Sequence, residues 1–393
     1  MYSTHKRMTV TNLALFPELE SAGEDTRTTG LLPCQRLEDL LHGGHIASRA
    51  PLAADQIQPA SIDLRLTSKA YRVRASFLPG LNSTVQRKLQ ELEAEEIDIS
   101  QPTLLERDSV YIAPVQEELS LPDDISAKAN PKSSTGRLDV FTRLITDYGN
   151  AFEEVRTGYK GRLFCEIVPL TFSIYVREGA RLNQLRLRRG HPLPWDKTLL
   201  DLHQREPIVY SQDASPAAAM VEEGLRLSVD LHGIDGAEIV GYRARKDAPP
   251  IDLAKVDYYD PLLYWEPLYR NATRSLILKP GEFYILTSRE KVSVPPDWAA
   301  EMWPFDPSVG EFRIHYAGFF DPGFGWTPAG HPRGSHAVLE VRAHGVPSLL
   351  EDGQVVGRLI YEPLMAVPSK LYGADIGSSY QAQKLKLGKH FRK

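Results

Sequence analysis

Three groups of residues in this chain can do chemistry. The first is Asn130-Pro131-Lys132-Ser133-Ser134-Thr135-Gly136-Arg137. Its two adjacent hydroxyls, set between a lysine and an arginine, offer donors and positive charge to phosphate oxygens. As local structure alone, the same run is a polar turn that opens a helix with a serine cap. The second group is a pair of glutamates inside apolar strands, Phe164-Cys165-Glu166-Ile167 and Val338-Leu339-Glu340-Val341. Burial among apolar neighbours raises a carboxyl toward the range of a general base. On the solvent face of an alternating strand the same glutamate has no such role. The third is Phe319-Phe320-Asp321-Pro322-Gly323-Phe324-Gly325. An Asp-Pro-Gly-Phe turn sets a carboxylate beside an aromatic ring, as a sugar hydroxyl and a stacked ring require; it is equally the composition of a plain hairpin turn.

The elements that must position these groups come in two copies. Leu119-Ser120-Leu121-Pro122-Asp123-Asp124 recurs as Val292-Ser293-Val294-Pro295-Pro296-Asp297, an offset of 173 residues (293 − 120). Residues 58–66 resemble 224–231, and 177–185 resemble 351–359. A period of that length is a duplicated domain, not a solenoid. The copies keep different halves of the chemistry. Where the first has the Lys132–Arg137 run, the second has Asp306-Pro307-Ser308-Val309-Gly310-Glu311, with no basic residue at the Arg137 position. Where the second has Asp321, the first has Val155-Arg156-Thr157-Gly158, with glycine kept and the aspartate lost.

Patterning predicts a mainly β protein of short strands broken by Pro, Gly and Asp turns, with a few short helices. One helix is expected from Cys34, closed by Gly43-Gly44, and a second over the charged run Val85–Ile99. The expected divisions are an N-terminal extension over 1–30, a first repeat over 31–200, a linker over 201–223 and a second repeat over 224–393. With 42% hydrophobic and 25% charged residues the composition is that of an ordinary globular protein. A net charge of −5 and a pI near 6.2 supply no basic field for duplex nucleic acid. Two cysteines, Cys34 and Cys165, and no apolar run of membrane-spanning length point to a reducing, cytoplasmic setting away from membranes. No Cys-x-x-Cys or His-x-Glu pair is present for the zinc-activated water of the usual nucleobase deaminases, and no Walker or Gly-x-Gly-x-x-Gly loop.

With these residues in hand, the chain resembles the zinc-independent dCTP deaminases of the dUTPase-like superfamily, in the double-length form that fuses two such domains. The resemblance spans most of 50–190 and 224–393. It rests on QPASIDLRL (58–66), the Ser-Ser-x-x-Arg stretch (133–137), FFDPGFG (319–325), the glutamate strands and the tail Ser379-Tyr380-Gln381-Ala382-Gln383. The family's tail reads Tyr-Gln-Gly-Gln, so Ala382 departs at one glycine. The resemblance implies two tandem distorted β-barrel or jelly-roll (β-clip) domains, a homo-oligomer, and sites composed between unlike repeats.

It also implies roles. Glu340 is the proton shuttle, with Glu166 as the alternative; Arg137 orients that carboxylate and Ser133 the water. Lys132 and Ser134 bind phosphate, Asp321 reads the deoxyribose hydroxyl, and Phe324 packs on the sugar. Backbone groups near Tyr316 and Ala317 read the cytosine edge, while Tyr380, Gln381, Gln383 and Lys384 close as a lid. Magnesium enters on the substrate triphosphate and no zinc is needed. The activity implied is deamination of dCTP to dUTP. Rival readings are a dUTP diphosphatase, a bifunctional enzyme performing both steps, and a nucleotide-binding regulator without catalysis.

Overall fold

The computed structural model describes residues 27–190, 195–303, 312–314, 318–327, 329–343, 345–373 and 384–392. It is mainly β, with few and short helices. In the first module, strand Arg181–Arg189 lies between Ile62–Arg65 and Ile125–Pro131, and the latter pairs on with Glu154–Val155. In the second, Val355–Pro363 lies between Leu225–Ser228 and Trp298–Trp303, which pairs on with Phe319–Phe320. Both four-strand paths are antiparallel throughout, and their order is the same. The match extends to register. Glu166 sits opposite Ile112 and Glu340 opposite Ile285, so the two cross-strand pairs match the sequence offset to within one residue (173 between the isoleucines, 174 between the glutamates).

Strand Ser335–Ala343 shows how a β period of two decides which residues become chemistry. Ala337, Leu339, Val341 and Ala343 enter the second module's core, whereas Val338 joins the core centred on the first module. The neighbouring strand Phe283–Val292 divides likewise, with Tyr284 and Leu286 facing their own module and Phe283 and Ile285 facing the other. The first module therefore covers the outer face of this sheet, and Glu340 lies on that face. In the first module the equivalent face is covered from within. Phe164 packs with Val73, Val85, Leu89, Ile112 and Ile145, under a short helix, Val85–Glu91.

That helix is shorter than the pattern predicts. Thr84 caps its start by accepting from the Arg87 amide, and the chain leaves it through Glu93 at φ 50. Glu95–Asp98 then forms a strand against Lys69–Val73, with Lys69 pairing Glu96 across it at 2.5 Å. Alternating Glu-Ile-Asp satisfies an edge strand better than a fourth helical turn. The helix from Cys34 ends at His42, with Gly43 as its C-cap. Residues 201–223, expected as a linker, carry the end of helix Asp196–Arg205 and strand Val209–Tyr210, which pairs with Phe283–Val292. Leu199 and Leu202 anchor that helix in the second module's core. Among the described residues no helix is long and apolar enough to cross a membrane.

Candidate active site

The Ser-Ser run is a single helical turn, Ser133–Gly136, inserted between two strands of the first module. Lys132 is its N-cap, and the Lys132 amide and Thr135 Oγ1 both donate to the Leu182 carbonyl at 3.0 Å, fixing the turn to strand Arg181–Arg189. Among the described residues neither the Ser133 nor the Ser134 hydroxyl is consumed by a hydrogen bond, so both are available to a ligand. Arg137 follows as C-cap with its side chain buried.

Arg137 reaches the second module. Its Nε lies 3.8 Å from Oε1 of Glu340, and its Nη1 donates to the Lys386 carbonyl at 2.8 Å. Glu340 is buried, and burial pushes its carboxyl from 4.5 up to about 7, with the Arg137 charge opposing the rise. A carboxyl poised there is available both as base and as acid near neutral pH. Glu166 is in another setting. It is wholly buried, and the Arg143 guanidinium donates twice to its Oε1, from Nη2 at 2.6 Å and Nε at 2.9 Å, while stacking 3.5 Å above Phe152. The structure does not bring Glu166 to the Ser133–Arg137 arm.

Beside the arm opens a cavity of about 620 Å³ between the modules, a size suited to a nucleotide. Lys132, Ser133, Ser134, Asp63 and Arg181 line it from the first module, and Phe319, Asp321, Tyr372 and Lys389 from the second. The Arg137–Glu340 pair lies behind the Ser133 turn, beneath the Lys386 backbone, and not in the cavity wall. Asp321 is held from the first module: Arg186 Nη2 donates to its Oδ1 at 2.9 Å and to the Phe320 carbonyl at 3.0 Å. The same guanidinium stacks 4.0 Å over the Phe319 ring. The turn after Asp321 needs glycine at 325, where φ is 78 and a Cβ would come within 2.3 Å of the Val292 carbonyl oxygen.

Several expected residues stand elsewhere. Phe324, expected against the sugar, is buried in the second module's core, with its ring 4.9 Å from that of Phe320; Phe319 and Tyr372 face the cavity instead. Lys384 pairs with the exposed Asp235 at 2.6 Å. Tyr316, Ala317, Tyr380, Gln381 and Gln383 lie outside the described residues.

Other residues at the site were not singled out by sequence reasoning. Asp63, inside the quoted 58–66 motif, is fully buried and ion-paired to Lys132, with Arg181 Nη1 at 3.7 Å. Burial raises its carboxyl and Lys132 opposes the rise. Lys389 is pushed down by burial and by the nearby Lys132 and Arg181 charges. The cavity lining holds four cations, Lys132, Arg177, Arg181 and Lys389, and four carboxylates, Asp55, Asp63, Glu178 and Asp321, with Lys132 engaged by Asp63 and Arg181 by Asp55. No cluster of three or more His, Cys, Asp or Glu side chains suited to a metal occurs among the described residues.

Comparison with known proteins fits this geometry. The family model described as "2'-deoxycytidine 5'-triphosphate deaminase (DCD) N-terminal domain" matches residues 28–191, and the corresponding C-terminal domain model matches 195–391. A Methanobrevibacter smithii protein named "dCTP deaminase, dUMP-forming" is 25% identical over 173 residues, 41% of this chain and 86% of the relative. A Streptomyces coelicolor protein of the same name is 30% identical over 145 residues, 35% of this chain and 70% of the relative. A solved structure titled as a 2'-deoxycytidine 5'-triphosphate deaminase from Agrobacterium tumefaciens superposes with a TM-score of 0.81. It is 52% identical, and the match covers 86% of this chain and all of that one.

Proposed function

Since the chain belongs to the 2'-deoxycytidine 5'-triphosphate deaminase family, we propose that it converts dCTP and water to dUTP and ammonia in a site assembled between its own two modules. One observation carries this reading: a buried arginine of the first module faces a buried, proton-poised glutamate of the second.

The triphosphate occupies the inter-module cavity against Lys132, Ser134, Arg181 and Lys389, with magnesium arriving as part of the substrate. Asp321, oriented by Arg186, accepts from the sugar hydroxyl, and the cytosine extends inward past Ser133 toward Glu340. Ionised Glu340 takes a proton from a water held by Ser133 as the oxygen adds to C4. It returns the proton to the amino group, which leaves as ammonia, while the hydroxyl proton left on the added oxygen passes to N3 as the C4 carbonyl forms. Arg137 keeps the carboxylate ionised at the outset and takes up charge as it develops. Backbone at Tyr316 and Ala317 reads the base, and the tail with Tyr380, Gln381 and Gln383 closes over the phosphates.

The two modules are copies of one dUTPase-like distorted barrel, the second half-site of each having decayed, in a homo-oligomeric cytoplasmic enzyme. The shared strand order and a register that matches to within one residue support the duplication. Incubation with dCTP tests the reading by release of ammonia. A second reading, in which dUTP is hydrolysed onward to dUMP, is favoured by the dUMP-forming names of the relatives. Separating dUTP from dUMP among the products decides between the two.

A further inference from the structure

Two residues beyond Arg137 the backbone passes through Asp139 at φ 57, a left-handed conformation that glycine adopts without strain and aspartate only at a cost. The aspartate's carboxylate is fully buried and accepts from Thr171 Oγ1 and from Arg342 Nη2. Arg342 Nη2 also donates to Thr171 Oγ1 at 3.1 Å, and its Nη1 reaches the Gly281 carbonyl at 2.9 Å. Asp139 and Thr171 belong to the first module, Arg342 and Gly281 to the second. Arg342 stands two residues from Glu340 on strand Ser335–Ala343, and hence on the same face.

The modules thus meet along two rungs of crossed charge, Arg137 opposite Glu340 and Asp139 opposite Arg342. The rungs differ in kind. Arg137 and Glu340 are 3.8 Å apart, beyond hydrogen-bonding distance, and do not clamp one another. Asp139 and Arg342 are in direct contact, triangulated by Thr171.

We propose that Asp139 and Arg342 form a positioning pair that sets the separation of Arg137 from Glu340 across the module boundary. A carboxylate that glycine could not supply accounts for an aspartate at a position suited to glycine. The pair matters for turnover because Glu340 is read as the proton shuttle of dCTP deamination.

The test is Asp139→Gly, which suits the backbone and removes the carboxylate. Its kcat for ammonia release is expected to fall about 10- to 100-fold, with nucleotide affinity changed less than about threefold. Asp139→Asn, whose amide oxygen still accepts from Arg342, recovers part of the loss. Arg342→Gln shows the same split between kcat and affinity, and the double variant is no worse than the poorer single one. In a crystal structure of Asp139→Gly, Arg137 and Glu340 no longer stand at the wild-type separation. An unchanged separation, or a parallel loss of kcat, affinity and melting temperature, overturns the positioning role. Absence of ammonia release from the unmodified chain refutes the functional reading instead, and the separation in the Asp139→Gly crystal then decides the positioning role alone.

Discussion

Glu166 and Glu340 occupy equivalent places on equivalent strands, and both are buried. What differs is the cover. Over Glu166 the first module folds its own helix, and Arg143 from the adjacent strand closes on the carboxylate with two bonds under 3 Å. Over Glu340 lies the other module, whose Arg137 stops at 3.8 Å. Two short bonds from one guanidinium consume the Glu166 oxygen they reach and tie the side chain to its neighbouring strand. A guanidinium at a distance leaves a carboxylate able to gain and lose a proton, the condition a proton shuttle requires. The two modules place a glutamate at matching strand positions, and the covering surface makes one a structural pair and the other a candidate catalyst.

Substitution at the two carboxylates probes this contrast with the largest expected effect. Glu340→Gln should reduce ammonia release from dCTP by about 10³-fold or more while nucleotide still binds. Glu166→Gln leaves the half-buried Arg143 without its counter-charge, so it should cost stability, roughly 2 kcal/mol by denaturant titration, with turnover per folded chain largely retained. Next in size, Arg186→Met should raise KM for dCTP about tenfold with a smaller change in kcat, because Asp321 loses the guanidinium that orients it.

The pH dependence is subtler. If Glu340 is the proton shuttle proposed above, kcat should climb with pH through a midpoint of about 7. Stability should move the other way. The folded chain holds a proton on Glu340 that the unfolded chain, at 4.5, has already lost, so stability falls as pH rises from about 4.5 to 7. The difference between wild-type and Glu340→Gln unfolding curves over that window should reach at most about 3 kcal/mol. A flat difference curve would mean that Glu340 is an ordinary carboxylate.

Much of this was legible in the sequence. The repeat offset became a match in strand register, and the Lys132–Arg137 run became a turn beside a cavity with its hydroxyls available. A period-two pattern names the residues on a strand's outer face but not what covers that face, so Arg143 as the partner of Glu166 could not be read. Arg186 lies in a strand, Arg181–Arg189, with four arginines, and only the second module's arrival distinguishes it. A turn's composition does not say which of its aromatic rings faces inward, and here Phe324 enters the core while Phe319 lines the cavity. The helix from Val85 was overextended because its acidic run fits a helix surface and an edge strand equally well.

The central claim is that one site is built from both modules of a single chain, and mixing two inactive variants tests it most directly. Arg137→Ala and Glu340→Gln, co-expressed and purified together, are assayed for ammonia release from dCTP. A site within one chain predicts that the mixture stays as inactive as the separate variants, since no chain carries both residues intact. Recovery of a substantial fraction of wild-type activity would show that Arg137 of one chain serves Glu340 of another, and would contradict the account.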